Sequence, residues 1–295
     1  MERCEVPAAG IRRIAREQLS KALGEIEKIS TAESGPAVHD TRKHIKKVRA
    51  LLRLICDEIG EEIFAEENRR LRDVARSFSG ARDAQVQLNV LERLREQAGQ
   101  EKKAFRRTAA LLQREIDAVS SDLSAEQEIA EKTLQWIADR IEGWPLDNLS
   151  AEVLCCALKR FYRRGDKGRR CAESDPTAEN FHSWRKRVKD IRYQAQLLQN
   201  LHPTVMCALA DAASALGREL GELHDLAFFR ARLEGGEKFP EAERAILLGL
   251  ICARERATEE TALDLGARFF AEKSKAFEER LLRYAKEWPA RDGKL

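Results

Sequence analysis

Apolar residues recur at intervals of three and four along most of the chain, as at Ile45, Val48, Leu52 and Ile55, while runs that alternate apolar and polar positions between turns are nearly absent. That period belongs to helices with one buried face, so the pattern predicts an all-α protein. Six helical stretches are expected in the first half, near 8–30, 37–58, 61–78, 81–98, 101–121 and 125–142. Six more are expected in the second, near 149–164, 178–200, 203–219, 221–233, 239–257 and 259–286. Breakers separate several of them, at Gly35-Pro36, Gly143-Trp144-Pro145, Ser174-Asp175-Pro176 and Gly235-Gly236. Pro203 suits the first turn of a helix, where a missing amide hydrogen costs little. The breaker at Gly143 sets an expected division into two helical halves, 8–145 and 146–288.

The halves are related in sequence. Laying Val38–Arg49 on Phe181–Arg192 gives H-x-x-R-K-x-x-K-x-x-R in both, in a fixed register over eleven positions and displaced by 143 residues. A weaker echo sets Arg76–Asp83 on Arg218–Asp225, with Arg82-Asp83 answering His224-Asp225 after a one-residue insertion.

On a helix of 100° per residue, Arg42, Lys46, Arg49 and Arg53 fall within an arc about 80° wide, so they form one stripe. Ile45, Val48, Leu52 and Ile55 occupy the adjoining sector, and the stripe therefore borders the buried face. The construction repeats from His182, where Arg185, Lys189 and Arg192 share an arc beside Trp184, Val188, Ile191, Ala195 and Leu198. Like charges three and four residues apart repel, which asks for a partner. One candidate is a row of Asp and Glu from neighbouring helices. The other is a polyanion: from His39 to Arg53 the helix rises about 21 Å, a length along which a phosphate chain meets successive Arg forks and Lys point charges. His39 and His182 open the stripes, where an imidazole can donate to phosphate. His44 falls on the apolar edge and is expected as a satisfied core or groove histidine, and His224 beside Asp225 is expected in the groove.

Composition changes this picture little. The 295 residues carry 53 basic and 50 acidic side chains, a net charge of +3 that predicts no polyanion by itself, so distribution carries the case. The locally basic stretches are Arg42–Arg53, Arg160–Arg170 and Arg185–Arg192, and acids crowd at Asp57–Glu67 and Glu126–Glu131. A mean hydropathy of -0.51, with no apolar run long enough to span a bilayer, excludes a membrane partner. The opening residues lack a secretory segment, which makes the cytoplasm the expected location. Seven cysteines without CxxC or metal-finger spacing are expected as free thiols, several of them as small core residues. Sequences of the forms GxxxxGK[ST], HExxH and GxSxG are missing, as are the Rossmann glycines and a carboxylate cluster for Mg²⁺. Neither catalytic residues nor a metal nor any cofactor is therefore expected.

These motifs resemble the CHAD family, the conserved-histidine α-helical domain. His39, Arg42, Lys43, Lys46 and Arg49 match its first motif, and His182, Arg185, Lys186, Lys189, Arg192 and Tyr193 its second. Arg82-Asp83, and Leu220-Gly221 through His224-Asp225, look like its later paired segments, and the resemblance covers about 8 to 288. It implies a CHAD-type domain of two pseudo-twofold-related helical bundles, inorganic polyphosphate as the ligand, and association with polyphosphate granules. Many members are joined to a triphosphate-tunnel domain and are more basic than this chain, which is expected to be a stand-alone member. The expected contacts are the motif residues together with Arg53, Arg82 and His224, acting without catalysis. The competing readings are non-specific nucleic-acid binding, which lacks interleaved stacking aromatics here, and a metal-dependent phosphohydrolase built on the His-Asp pair.

Overall fold

A computed structural model describes residues 1–2, 5–29, 34–78, 80–99, 104–119, 123–235 and 239–287, with side chains at 34, 80–83 and 119 outside that description. The described residues form twelve α-helices and no strand: α1 Pro7–Ile26, α2 Ser34–Leu54, α3 Cys56–Ile59, α4 Glu61–Ser77, α5 Gly80–Gln97, α6 Arg106–Val119, α7 Ser124–Arg140, α8 Ala151–Ser174, α9 Ala178–Leu197, α10 Pro203–Gly235, α11 Glu241–Phe269 and α12 Ser274–Lys286. The protein is all-α, as the apolar period predicts. Local chemistry starts several of these helices. Pro7 lies in the first turn of α1. The Ser150 hydroxyl accepts the Val153 N–H at the head of α8, and the Thr177 hydroxyl accepts the Asn180 N–H at the head of α9, each cap being worth about 1 kcal/mol.

The stretch expected at 37–58 breaks at Ile55 into α2 and α3, and three further boundaries depart from the sequence expectation. A single 33-residue helix, α10, replaces the pair expected at 203–219 and 221–233. Its apolar row from Met206 to Leu233 is buried without interruption past Gly221, and that burial outweighs the roughly 1 kcal/mol a mid-helix glycine costs. The helix expected to end at 164 runs on to Ser174, because Gly165 and Ala172 continue its buried face beneath the charged run. The break expected near 258 falls instead at 271–273, since Thr258 is buried within α11 and bonds back to the Arg254 carbonyl at 2.8 Å.

The packing scheme of the first half returns in the second. In one, α1 lies on α2 and α7, α2 on α4, and α5 on α6; in the other, α8 lies on α9 and α12, α9 on α10, and α10 on α11. The two sets meet where α2 touches α8 and α9, and where α5 touches α10 and α11. The main apolar cluster draws on α1, α2, α4, α7, α8, α9, α10 and α12, and a smaller one joins α5 and α6 to the facing ends of α10 and α11. Trp184 anchors α9 in the main cluster. A Cβ at Gly266 would lie 2.5 Å from its ring, so only glycine lets the indole reach the α11 backbone.

Six of the cysteines are described, and all six are free thiols. The core role expected of several holds for Cys155, whereas Cys156, Cys171 and Cys252 are exposed. Among the described residues no helix is long and apolar enough to cross a membrane.

Candidate polyanion-binding site

The motif helices α2 and α9 are neighbours, and each buries the apolar face its sequence marks out: Ile45, Val48, Leu52 and Ile55 on one, Trp184, Val188, Ile191, Ala195 and Leu198 on the other. Their basic stripes are thereby held at the edge of the core. Half-buried cations follow.

On α9, His182, Arg185, Lys189 and Arg192 are half-buried and Lys186 is exposed. Arg185 lies along α10 at Gly221, its Nε 3.7 Å from where a Cβ would stand. The His182 ring faces that of His224 on α10, with centroids 4.4 Å apart and planes tilted by 30°. Among the described residues the buried Nδ1 of His182 has no hydrogen-bond partner. Burial lowers the pKa of both imidazoles, and Arg185, Lys186 and Lys189 add to the effect; His224 is brought down to about 4. Both rings are neutral at pH 7.

On α2, His39 and Lys43 are exposed, and Lys43 reaches Asp40 at 3.2 Å. Arg42 donates to the Ala75 carbonyl of α4, and Lys46 is half-buried. Arg49 donates from Nε to Asn68 Oδ1 at 2.9 Å; burial, then Arg53, pulls its pKa down to about 10, and Arg72 and Arg76 also contribute. Arg53 grips Asp190 of α9 through Nε at 3.0 Å and Nη2 at 2.5 Å, with Arg187 on the other carboxylate oxygen at 3.6 Å. Burial pushes the Asp190 carboxyl up, and Arg53 opposes it. The guanidinium of Arg53 is therefore committed to joining the motif helices.

Cations of both motif helices stand around Tyr193. Burial raises this phenol, whose charged neighbours include Arg192, Lys43 and Arg185, and the Arg192 guanidinium stands 5.7 Å from its ring. Lys47 belongs to the same cluster: burial lowers its ammonium, and so do Lys43, Lys21 and Arg192. Sequence reasoning left Lys47 out because it falls outside the α2 arc, and only the approach of α9 shows its place. His44 bonds Gln18 at 2.9 Å, consistent with a satisfied inward-facing histidine. The Arg82 side chain lies outside the described residues. Of the acidic residues that could answer the stripes, Asp40 meets Lys43 and Asp190 meets Arg53. Among the described residues no group of three or more His, Cys, Asp or Glu could hold a metal ion.

No curated protein matches the chain. PptA from Streptomyces chartreusis is similar in structure, with a TM-score of 0.63 and 14% sequence identity over 91% of this chain and 100% of that one. At that identity the likeness concerns the fold alone. Residues 13–234 match the CHAD domain, a span that holds both His-led basic helices and His224 and that supports a general polyanion-binding role. The chain belongs to the CHAD domain family.

Proposed function

We propose that the protein binds inorganic polyphosphate, without turning it over, along the basic face where α2, α9 and α10 meet. The observation that carries this reading is the gathering of cations from both motif helices, with Lys43 of α2 and Arg192 and Arg185 of α9 around Tyr193 and with Lys47 of α2 under the influence of Arg192. The Lys47 ammonium is lowered by burial and by Lys43, Lys21 and Arg192, so like charges crowd this face and an anion relieves their repulsion. Arg185 and Arg192 offer planar forks, and Lys43, Lys46, Lys186 and Lys189 offer mobile point charges, a mixture suited to an irregularly posed phosphate chain. His39, His182 and His224 serve as polar contacts that gain protons as phosphate approaches. Arg42 and Arg49 lie at the α4 side of the face, and Arg53 fixes the crossing of α2 and α9.

The same reading takes 8–145 and 146–288 as the two copies of one repeated unit, requires no cofactor, and places the protein in the cytoplasm at polyphosphate granules. The test is a titration of the protein with polyphosphate, duplex DNA, RNA and heparin at matched salt in EDTA, followed by prolonged incubation of polyphosphate with protein and Mg²⁺ or Mn²⁺. Tightest binding to polyphosphate with unchanged chain length is expected. Stronger binding to nucleic acid would favour the nucleic-acid reading. Phosphate release proportional to protein, and lost in His224→Ala, would establish hydrolysis instead.

A further inference from the structure

The third basic stretch of the sequence plays no part in the groove. Taking Arg160 as zero on α8, Arg163, Arg164, Lys167 and Arg170 share its side within an arc of about 120°, and the row extends about 15 Å. The opposite face of α8, with Leu158, Phe161, Tyr162 and Ala172, is buried, so the row points outward. Arg163, Arg164, Lys167 and Arg170 are exposed.

This row departs from the way the rest of the surface handles charge. Elsewhere a carboxylate one turn away answers a cation, as in Arg13–Glu17, Arg70–Glu66, Lys132–Glu128 and Arg268–Asp264. On α8 the residues three and four away from Lys167 are Arg163, Arg164, Arg170 and Cys171, and those around Arg164 are Arg160, Phe161, Lys167 and Gly168. Among the described residues no ion pair engages Arg163, Arg164 or Lys167. Arg160 and Arg170, at the two ends of the row, pair with Asp57 and with Asp166 one turn away, so it is the middle run of Arg163, Arg164 and Lys167 that, in a chain whose net charge is only +3, calls for an anion from outside.

The row also starts where the motif helices end. Arg160 pairs with Asp57, one turn beyond Arg53, and Arg164 is among the cations acting on that carboxylate. The α8 row is thereby joined to the C-terminal end of α2 through the Arg160–Asp57 pair.

We propose that the outward row of α8 is a second polyanion-binding segment, which takes the part of a long polyphosphate chain that overruns the α2–α9 face. The proposal rests on the polyphosphate reading of that face. It implies that α8 matters for long chains and not for short ones, and that its contribution, lying in open solvent, fades steeply with salt.

The experiment compares the full chain with a variant carrying Arg163→Gln, Arg164→Gln, Lys167→Gln and Arg170→Gln, which keeps helix propensity while removing four charges. The probes are tripolyphosphate and long-chain sodium polyphosphate at several salt concentrations, with circular dichroism to check folding. Tripolyphosphate affinity should stay within about twofold, while long-chain affinity at low salt falls about tenfold or more and the log–log salt slope becomes shallower by about 3 to 4, from the relation established for nucleic acids. A charge-keeping variant with lysine at the three arginine positions should retain long-chain affinity. Unchanged long-chain binding, or equal losses for both probes, overturns the proposal. So does a variant that keeps long-chain affinity but loses duplex DNA or anionic vesicles, since the row then serves that partner. If the unaltered protein binds neither phosphate probe, the reading of the α2–α9 face has failed and the α8 proposal falls with it; if it binds both and only the α8 variant behaves like wild type, the first reading stands alone.

Discussion

Replacing Arg53 with methionine isolates the joint between the motif helices. The substitution keeps the aliphatic stem and leaves the Asp190 carboxyl, 6% exposed, with Arg187 at 3.6 Å and the weaker influence of Arg49. A buried carboxylate stripped of its partner costs about 3–5 kcal/mol if it stays charged. It can escape by taking a proton, which at pH 7, against an unfolded pKa near 3.9, costs about 4 kcal/mol. The cheaper route sets the loss, and the remaining help from Arg187 brings it to about 3 kcal/mol. For a chain of this size that lowers Tm by about 6–12 °C. The sign with pH follows from the same quantities. Burial already raises the Asp190 pKa in the wild type and the loss of Arg53 raises it further, so the contribution of this group is complete below about pH 4 and is lost as pH rises through the folded pKa. At pH 5 protonation costs only about 1.5 kcal/mol, so the deficit against wild type should be much smaller than at pH 7. Asp190→Asn should be milder, because the Arg53 side chain is 23% exposed and can turn to water. Thermal melts of both variants at pH 5 and 7 check this. A variant Arg53→Met that melts with wild type, or whose deficit widens on acidification, would refute the view that this pair is buried and couples the helices.

Two further predictions concern the face itself. Replacing Arg185, Lys189 and Arg192 together with glutamine should weaken polyphosphate binding and flatten its log–log salt slope by about 2 to 3, with single changes costing about 1–2 kcal/mol; if this triple and the matching Arg42, Lys46 and Arg49 triple both bind like wild type while folded, the stripes are not the contact. His224, held near pKa 4 by burial and by Arg185, His182, Lys189 and Lys186, contributes stability that is complete above about pH 6.5 and is lost as pH falls toward 4, so His224→Gln should flatten that decline in urea melts. Because bound phosphate favours the imidazolium, calorimetry in buffers of different ionisation enthalpy should show proton uptake on binding at pH 6, and the absence of uptake would count against histidine contact.

The helices were legible because apolar spacing and caps are local signals. Pro203 and Thr177 start helices where the sequence indicates, and the apolar faces of α2 and α9 are buried as their periods imply. The continuity of α10 was not legible, because Gly221 reads as a breaker until its neighbours on both sides prove to share one buried row. The site divides in the same way. Its members on each stripe follow from angles within one helix, so His182, Arg185 and Lys189 were found together. The surroundings of Arg53 and Lys47 were not legible for one reason: they depend on α9, 137 residues away in the case of the Arg53–Asp190 bond, and no periodicity reports which residue of a distant helix will arrive. The stacking of His182 on His224 likewise joins α9 to α10, although the pairing of the sequence echoes had placed both near a groove.

A net charge of +3 is compatible with a polyanion site because the acidic residues are not spread evenly over the cations. Many carboxylates are taken up within a helix, as at Glu66, Glu128, Asp264 and Glu173, each bound to an Arg or Lys one turn away. Others join helices, as Glu222 does with Arg254 and Glu243 does at the first turn of α6, where it accepts the Thr108 N–H. Such pairs cancel charge locally and add little field beyond a Debye length of about 8 Å at physiological salt. What remains is determined by where pairing is incomplete, and Lys47, Arg49, His182 and His224 all respond there to neighbouring cations as well as to burial. Total charge therefore says little about whether this chain attracts a phosphate polymer. The relevant quantity is the local excess along the α2–α9 face and, on the proposal above, along α8, and it is concentrated in rows whose spacing an extended anion can follow.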